Sequence, residues 1–193
     1  MKKIMFSDKF GLTKAVLSGR KTQTRRICPD GTPLGNWTET VKKSRYQVGE
    51  VVAVAQSYQD IDLHTLINAC IDKGMSKEGF ADMMTNSRGS ANKMFVRSEL
   101  MPHQIRITDV RVERLQDISD EDCIAEGIYK DDGKTHFNGY AFQITRDQYG
   151  NMLSKQWYST PREAYAALID RISGKGTFER NPYVFVYEFE LIK

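Results

Sequence analysis

Apolar residues recur at helical spacing in four stretches of the chain, and polar capping residues mark the start of a fifth helix. A glycine follows four of the five, as is typical of a left-handed helix end; these are Gly19, Gly74, Gly127 and Gly174. The apolar positions are Leu12, Ala15, Val16 and Leu17; Leu63, Leu66, Ile67, Cys70 and Ile71; Phe80, Met83 and Met84; Ile124; and Ala164, Leu168, Ile169 and Ile172. The residues predicted to begin the helices are Ser7–Asp8, Ser76, Ser119 and Thr160, the last with Pro161 and Glu163 in a capping box.

Runs of β-branched and aromatic residues predict strands between these helices. We expect a brief strand near the N-terminus and strands at 51–55, 94–96, 104–115 and 183–191. In the longest, Ile105 and Ile107 share one phase of the alternation, whereas Val110 and Val112 share the other. This change of phase indicates a bulge or bend, which would help to curl a sheet into a barrel.

Three segments depart from this pattern. Residues 28–48 contain Pro29, Gly31, Pro33 and Gly35 with few apolar residues, which favours a long irregular loop. Residues at about 60–92 form a helical insertion, and residues at about 129–158 form an irregular insertion rich in aromatic side chains. The length of 193 residues is typical of a single domain that carries such insertions.

Composition agrees with a globular, water-soluble chain, since 40% of the residues are apolar and 27% are charged. Residues 1–26 hold eight Lys or Arg and one Asp, a net charge of +7, so the remainder carries −4 of the total of +3. Such a basic segment would attract a polyanion or a phosphorylated small molecule. The three cysteines are scattered, and we find neither an export segment nor a membrane span, which predicts a cytoplasmic protein with reduced thiols.

The densest polar chemistry lies in the basic octet, which we define as residues 19–26, Gly-Arg-Lys-Thr-Gln-Thr-Arg-Arg. It carries four cations and three neutral hydrogen-bonding side chains, and it follows the first predicted helix as an exposed segment. The sequence lacks a glycine-rich phosphate loop, a nucleophile elbow and the H-E-x-x-H motif. Its three histidines are widely spaced, so we predict neither a metal nor another cofactor.

At Gly19-x-Lys21-x-x-Thr24-x-Arg26 the octet resembles the G-x-K-x-x-E-x-R motif of the ASCH domain family, which belongs to the PUA-like superfamily. Three further blocks, at 46–54, 106–128 and 181–192, resemble ASCH proteins that are common in phages and prophages. The resemblance implies an α+β fold, a small PUA-like β-barrel with peripheral helices and a helical insertion. The segments 56–92 and 129–158 lie outside it.

One departure from the family motif changes the chemistry that we expect: Thr24 replaces the usual Glu. ASCH-type amidohydrolases that act on N4-acetylcytidine and related nucleosides also carry Thr there, with the same G-R-K-T-x-T spacing. By this resemblance Lys21, Thr24 and Glu126 form the catalytic set, while Arg20, Thr22 and Arg26 bind the substrate. A lysine with a lowered pKa can activate a threonine hydroxyl, and a nearby glutamate can pair with that lysine or protonate the leaving amine.

The sequence leaves other functions open. Lys21 and Glu126 can instead form a structural ion pair, in which case the chain is a non-catalytic module that binds RNA, a nucleoside or a modified base. Ribonuclease activity is reported for some ASCH-type proteins, although no pair of histidines lies near the octet. A third possibility is an accessory protein of a mobile element that acts through a protein partner. The insertion at 60–92 is the only feature of the sequence that supports it.

Overall fold

The computed structural model describes residues 1–131, 139–143 and 156–192. Its strands are β1 (Lys3–Ile4), β2 (Gln23–Ile27), β3 (Val51–Val54), β4 (Gln104–Arg114), β5 (Tyr129–Lys130), β6 (Tyr140–Ala141) and β7 (Tyr183–Leu191). Its helices are α1 (Leu12–Leu17), α2 (Trp37–Lys42), α3 (Leu63–Asp72), α4 (Lys77–Asn86), α5 (Asp120–Ala125), α6 (Pro161–Ser173) and α7 (Thr177–Arg180). None of the helices in these ranges is both long and apolar enough to cross a membrane.

Five strands form one mixed sheet in the order β1-β3-β4-β7-β2, and β5 and β6 form a separate two-stranded sheet. The strand β1 runs parallel to β3, whereas the pairs β3–β4 and β2–β7 are antiparallel. The predicted α+β class is therefore confirmed. Closure of the strands into a PUA-like barrel stays a prediction.

The chain divides into two compact units. The first contains Met1–Phe6, Val51–Arg106 and the C-terminal residues from Leu191, and the second contains Ser7–Glu50 and Ile107–Glu190. A single domain therefore stays a prediction as well. The second unit holds the whole basic octet together with Glu126, so it is the unit that matters for the predicted site.

The first unit has a core of its own around α3 and the end of β3. The predicted helices at 60–92 are present there, and Ser76 caps α4 by accepting from the Gly79 amide at 3.1 Å. The α3 residues Leu66 and Cys70 are buried, whereas Leu63 and Ile71 of the predicted stripe are largely exposed. The core of this unit comprises Ala53, Ala55, Tyr58, Ile61, Leu66, Cys70, Met83, Val96, Leu100 and Met101.

The second unit contains α1, α2, α5, α6 and α7 around β2, β7 and most of β4. Helix α6 packs against α5 and α7. The predicted stop of α1 is confirmed, because Gly19 has a φ of 71° two residues after the helix ends. Side chains on both faces of β7 are buried in this unit, including Val184, Phe185, Val186 and Tyr187.

Two segments have a secondary structure other than the predicted one. Residues 37–42 form α2 instead of irregular loop, because Asn36 caps the helix and accepts from the Glu39 amide at 3.3 Å. Met94–Val96 is not a strand, since residues 93–95 form a 3-10 turn. The Nζ of Lys3 binds the carbonyl oxygens of Met94 and Val96 at 2.8 and 2.7 Å, which satisfies groups that a neighbouring strand would otherwise bind.

The first helix also begins differently from the prediction. Asp8–Phe10 is a separate 3-10 turn, and α1 starts after Gly11, whose φ is 64°. Asp8 connects this turn to α1, since it accepts a hydrogen bond from the Thr13 hydroxyl at 2.5 Å. Part of the predicted irregular insertion at 129–158 lies outside the described residues; within them it forms β5, β6 and a bridge between Tyr140 and Tyr158.

The capping box predicted at α6 gives a simple test of the second unit. The Thr160 hydroxyl accepts from the Glu163 amide at 3.1 Å, and the Glu163 carboxylate accepts from the Thr160 amide at 3.4 Å. We expect Thr160→Ala to lower the free energy of unfolding by about 1 kcal/mol, because it leaves an amide of the first turn without a partner. Urea denaturation measures this, with the exposed neighbour Ser159→Ala as the control. Equal stability of the two variants would contradict it.

Candidate active site

The basic octet is held in place at its start by backbone hydrogen bonds. The amides of Arg20 and Lys21 both donate to Ala15 O at 2.9 Å, which attaches the segment to α1. The Thr22 amide donates to Ala125 O at 2.9 Å, at the end of α5. The Phe189 amide donates to Thr22 O at 2.9 Å, and from Gln23 onward the segment pairs with β7. The octet therefore lies between the end of α5 and the end of β7. The prediction that it is an exposed segment was wrong, since four of its eight residues, Lys21 and Gln23 to Arg25, are buried.

Lys21 and Glu126, two of the predicted catalytic residues, are in direct contact. The Nζ of Lys21 donates to Glu126 Oε2 at 2.6 Å, to Glu126 O at 2.8 Å and to Gln23 O at 2.7 Å. Lys21 is only 1% exposed and Glu126 only 5% exposed. Glu126 reaches this position because it is the residue at which α5 ends, three residues before the start of β5 and directly before Gly127.

Burial has a large effect on the protonation of Lys21. Removal from water lowers the pKa of the Lys21 ammonium from its ordinary 10.5, and the positive charges of Arg26 and Arg25 lower it further. The charge and hydrogen bond of Glu126 oppose this effect, but burial is the larger contribution. A lysine with a lowered pKa releases its proton more easily and is thus better suited to act as a base.

Arg25, which the family motif does not include, connects the Lys21–Glu126 pair to two further carboxylates. Its Nη2 binds Glu113 Oε1 at 2.6 Å and Asp122 Oδ2 at 2.5 Å, and its Nη1 lies 3.4 Å from Glu126 Oε1. Its side chain has no exposed surface. Although burial alone would lower the pKa of Arg25, the surrounding carboxylates raise it, so the guanidinium stays charged. Arg25 thereby fixes Glu126 Oε1 while Glu126 Oε2 binds Lys21.

The polar network extends outward from Arg25. Gln23 Oε1 accepts from Arg25 Nη1 at 2.5 Å, and Gln23 Nε2 donates to Asp122 Oδ1 and Glu188 Oε1, each at 3.2 Å. Arg111, about one third exposed, forms ion pairs with Glu188, Glu113 and Asp122 at the outer edge. Charged side chains thus lead in steps from the solvent to the buried Lys21–Glu126 pair.

A cleft of about 280 Å³ lies beside this network. Thr22, one of the predicted substrate-binding residues, is exposed and lines the cleft together with Gln23. The other residues that line it are Thr108, Glu121, Asp122, Ala125, Glu188 and Phe189. Its carboxylates can accept hydrogen bonds from amino or hydroxyl groups of a ligand.

Thr24 and Arg26 alternate with Gln23 and Arg25 along β2, so their side chains point to the opposite face of the strand. That face is aromatic. Thr24 lies opposite Tyr187 in the register with β7, and Arg26 lies opposite Phe185. Tyr46 packs edge-to-face on Tyr187, with ring centroids 5.2 Å apart.

The remaining predicted residue, Arg20, contacts Gly127, the residue that follows Glu126. Its Nη1 donates to Gly127 O at 3.0 Å, and its guanidinium stands over the Tyr129 ring at 5.6 Å. The structure therefore brings Lys21, Glu126 and Arg20 together and places Thr22 in the adjacent cleft. It places Thr24 and Arg26 on the other face of β2, where a catalytic role for Thr24 stays a prediction.

Sequence reasoning missed Arg25, Glu113 and Asp122. Arg25 shares the alternation of Gln23 on β2, which was a usable signal, but its partners lie 88 and 97 positions away along the chain. Tyr165 was missed as well. It is fully buried, and burial together with the charge of Glu126 raises the pKa of its hydroxyl well above the ordinary value of 10.

Within the described ranges, no group of three or more His, Cys, Asp or Glu side chains is arranged to hold a metal ion. Cys28, Cys70 and Cys123 are free thiols.

Comparison with known proteins adds little to these observations. No family model matches the chain, and no curated protein matches its sequence. A similar solved structure is that of protein EF3133 from Enterococcus faecalis V583, described under the family model DUF984. The match has 12% sequence identity and a TM-score of 0.41, and it covers 94% of this chain but 66% of that chain. This is a weak similarity at the level of the fold.

Proposed function

We propose that this chain is an ASCH-type, PUA-like protein that binds cytidine-type nucleosides and hydrolyses the acyl group from N4-acylcytidine. The observation that carries the proposal is the buried Lys21, whose pKa is lowered and whose Nζ lies 2.6 Å from Glu126. A surface ion pair would need neither the burial nor the second cation, Arg25, that holds Glu126 from its other side. Perturbed titratable groups of this kind are concentrated at functional sites.

The chemistry assigns one task to each predicted catalytic residue. Lys21, in its uncharged form, takes the proton of the Thr24 hydroxyl while the Thr24 oxygen attacks the acyl carbonyl carbon. The bond between that carbon and N4 then breaks, and the Lys21 ammonium returns the proton to N4, which releases cytidine. Water hydrolyses the Thr24 ester to give the carboxylic acid and the free hydroxyl. Glu126 orients Lys21 and stabilises its charged form.

The position of Lys21 is compatible with a reaction on the face of β2 that carries Thr24. The two residues are near each other along the chain, since Lys21 precedes β2 by two residues and Thr24 is the second residue of that strand. On the face of β2 that carries Thr24, the Arg26 guanidinium can hold a carbonyl oxygen or the oxyanion that forms during attack. Thr22 and Arg20 complete the proposed substrate-binding set.

The proposal is tested by incubating the purified protein with N4-acetylcytidine and separating the products by liquid chromatography. We expect cytidine and acetate in equal amounts. Thr24→Val should lose measurable turnover, whereas Thr38→Val, at an exposed threonine of α2 in the same unit, should retain the wild-type rate. No cytidine above that formed by heat-denatured protein, at high enzyme concentration, would refute the hydrolase.

A non-catalytic protein that binds a nucleoside or RNA is the second candidate. Three acceptors surround the Lys21 Nζ, as many as an ammonium can satisfy, and such a complete set also suits a structural ion pair. In that case calorimetry would detect binding of cytidine or a short single-stranded RNA without any turnover. RNA binding, unlike binding of an uncharged nucleoside, would weaken steeply as the salt concentration rises.

A further inference from the structure

Two aromatic rings and one guanidinium form a small platform in the second unit, which we define as Arg20, Tyr129 and Trp157. The Arg20 guanidinium stands 5.6 Å from the centroid of the Tyr129 ring. The Tyr129 and Trp157 rings meet edge to face, with centroids 6.3 Å apart and planes at 82°. All three side chains are half-buried, so each keeps part of its surface in contact with solvent.

Backbone hydrogen bonds fix the rings of the platform. Tyr129 belongs to β5 and pairs with Ala141 of β6. Tyr158, the neighbour of Trp157, exchanges two backbone hydrogen bonds of 2.9 Å with Tyr140. A Cβ at Gly139 would lie 2.8 Å from Tyr158 O and 3.7 Å from Trp157 Cβ, so this close approach requires glycine. The rings are thus placed before any ligand binds, which lowers the entropy cost of binding.

The platform is attached directly to the Lys21–Glu126 pair. Arg20 Nη1 donates to Gly127 O at 3.0 Å, and Gly127 follows Glu126 in the chain. Gly127 has a φ of 106°, and a Cβ built there would lie 3.7 Å from Lys21 Cδ. Tyr129 comes two residues later. Four successive residues, 126–129, therefore contain both the carboxylate that binds Lys21 and the ring that Arg20 covers.

We propose that the Arg20–Tyr129–Trp157 platform stacks the pyrimidine base of the nucleoside, and so determines affinity for the base. This inference rests on the proposed function and extends it to residues that the ASCH motif does not contain, Tyr129 and Trp157. Stacking on aromatic rings and on arginine planes accepts a flat base without requiring hydrogen bonds to it. The base then lies beside the Lys21–Glu126 pair, to which Arg20 is joined through Gly127.

The chain offers a matched control cluster with the same three residue types. Trp37 packs against Tyr183 with centroids 5.5 Å apart, and the Arg114 guanidinium lies 3.8 Å from the Tyr183 ring. Arg114 donates to Asn181 O, not to the backbone beside Glu126. If an exposed group of Arg, Tyr and Trp were sufficient, this cluster would bind the base as well.

The two tryptophans of the sequence make the test specific, because Trp37→Phe leaves Trp157 as the single tryptophan. Titration of this variant with cytidine, the product, which is not turned over, should change the fluorescence of Trp157 in a saturable way, with the Kd that calorimetry gives. Trp157→Ala should raise Kd about 10-fold, since it removes one stacking surface. Trp157→Phe, which keeps a ring, should recover most of the affinity, and Trp37→Ala should leave Kd unchanged.

The outcomes separate the platform from the hydrolase. Binding by calorimetry without a change in Trp157 fluorescence, or a Kd that Trp157→Ala leaves unchanged while Trp37→Ala raises it, would overturn the platform but not the hydrolase. Trp157-dependent binding without turnover would support the platform and overturn the hydrolase. If neither cytidine nor N4-acetylcytidine gives a heat or a fluorescence change, both proposals are overturned. Circular dichroism of each variant establishes that it is folded.

Discussion

Lys21→Arg is expected to reduce the hydrolysis of N4-acetylcytidine by at least about 100-fold, the contribution typical of a general base. Arginine keeps a positive charge facing Glu126, but it does not lose its proton in proteins and so cannot accept one from Thr24. The substitution therefore separates the ion pair from the base. If Lys21 is merely structural, the loss of activity should be no larger than the loss of folded protein that urea denaturation measures for the same variant.

The controls for this experiment use a lysine outside the site and the pH dependence of the rate. Lys14→Arg, at an exposed position of α1, should leave the rate unchanged. Because burial lowers the pKa of Lys21, the wild-type rate should rise with pH and level off below 10.5 as the uncharged amine becomes the main form. Lys21→Met also removes the proposed base, so it should lower the rate as well. An active Lys21→Arg variant with a wild-type pH profile would exclude Lys21 as the base.

Arg25→Met is expected to lower the free energy of unfolding by about 3–5 kcal/mol, which is the range for breaking a buried ion pair. The change removes the cation that binds Glu113, Asp122 and Glu126, and it leaves the buried Glu126 Oε1 without that partner. Urea denaturation followed by circular dichroism measures the loss. We expect it to be the largest effect of any single arginine substitution in the second unit.

Arg45→Met is the matched control for this prediction. Arg45 is exposed in the same unit and stands over the Tyr46 ring at 5.6 Å, so its loss should cost about 1 kcal/mol or less. If both substitutions cost the same, the network around Arg25 contributes nothing beyond an exposed cation. A soluble Arg25→Met variant with wild-type stability would contradict the importance of the network directly.

The parts of the fold that could be predicted from the sequence are those set by local chemistry. Thr160, Pro161 and Glu163 define the start of α6, and Ser119 with its acidic neighbours defines the start of α5. At residues 94–96 the local pattern gave a wrong prediction, and there a distant group binds the backbone. Residues 94–96 have the sequence pattern of a strand. In the structure, residues 93–95 form a 3-10 turn, and the ammonium of Lys3 binds the carbonyl oxygens of Met94 and Val96.

The candidate site was predictable in part for the same reason. Lys21 and Glu126 were identified from a motif and from the end of a helix, and they lie 2.6 Å apart. Arg25 and Trp157 were not, because their roles depend on which carboxylates and rings the folded chain brings to them. Alternation along β2 separates Thr24 from Arg25, a consequence of strand geometry that the spacing of the motif alone does not reveal.

The central claim is that Lys21 is a lysine whose proton is released easily enough to activate a hydroxyl. Its most direct test is an NMR titration of the side-chain amine in protein labelled at lysine, with Lys21→Arg used to assign the signal. The account predicts a Lys21 pKa clearly below the ordinary value of 10.5. A pKa at or above 10.5 would contradict it, since the ammonium would then be a permanent partner of Glu126 and not a base.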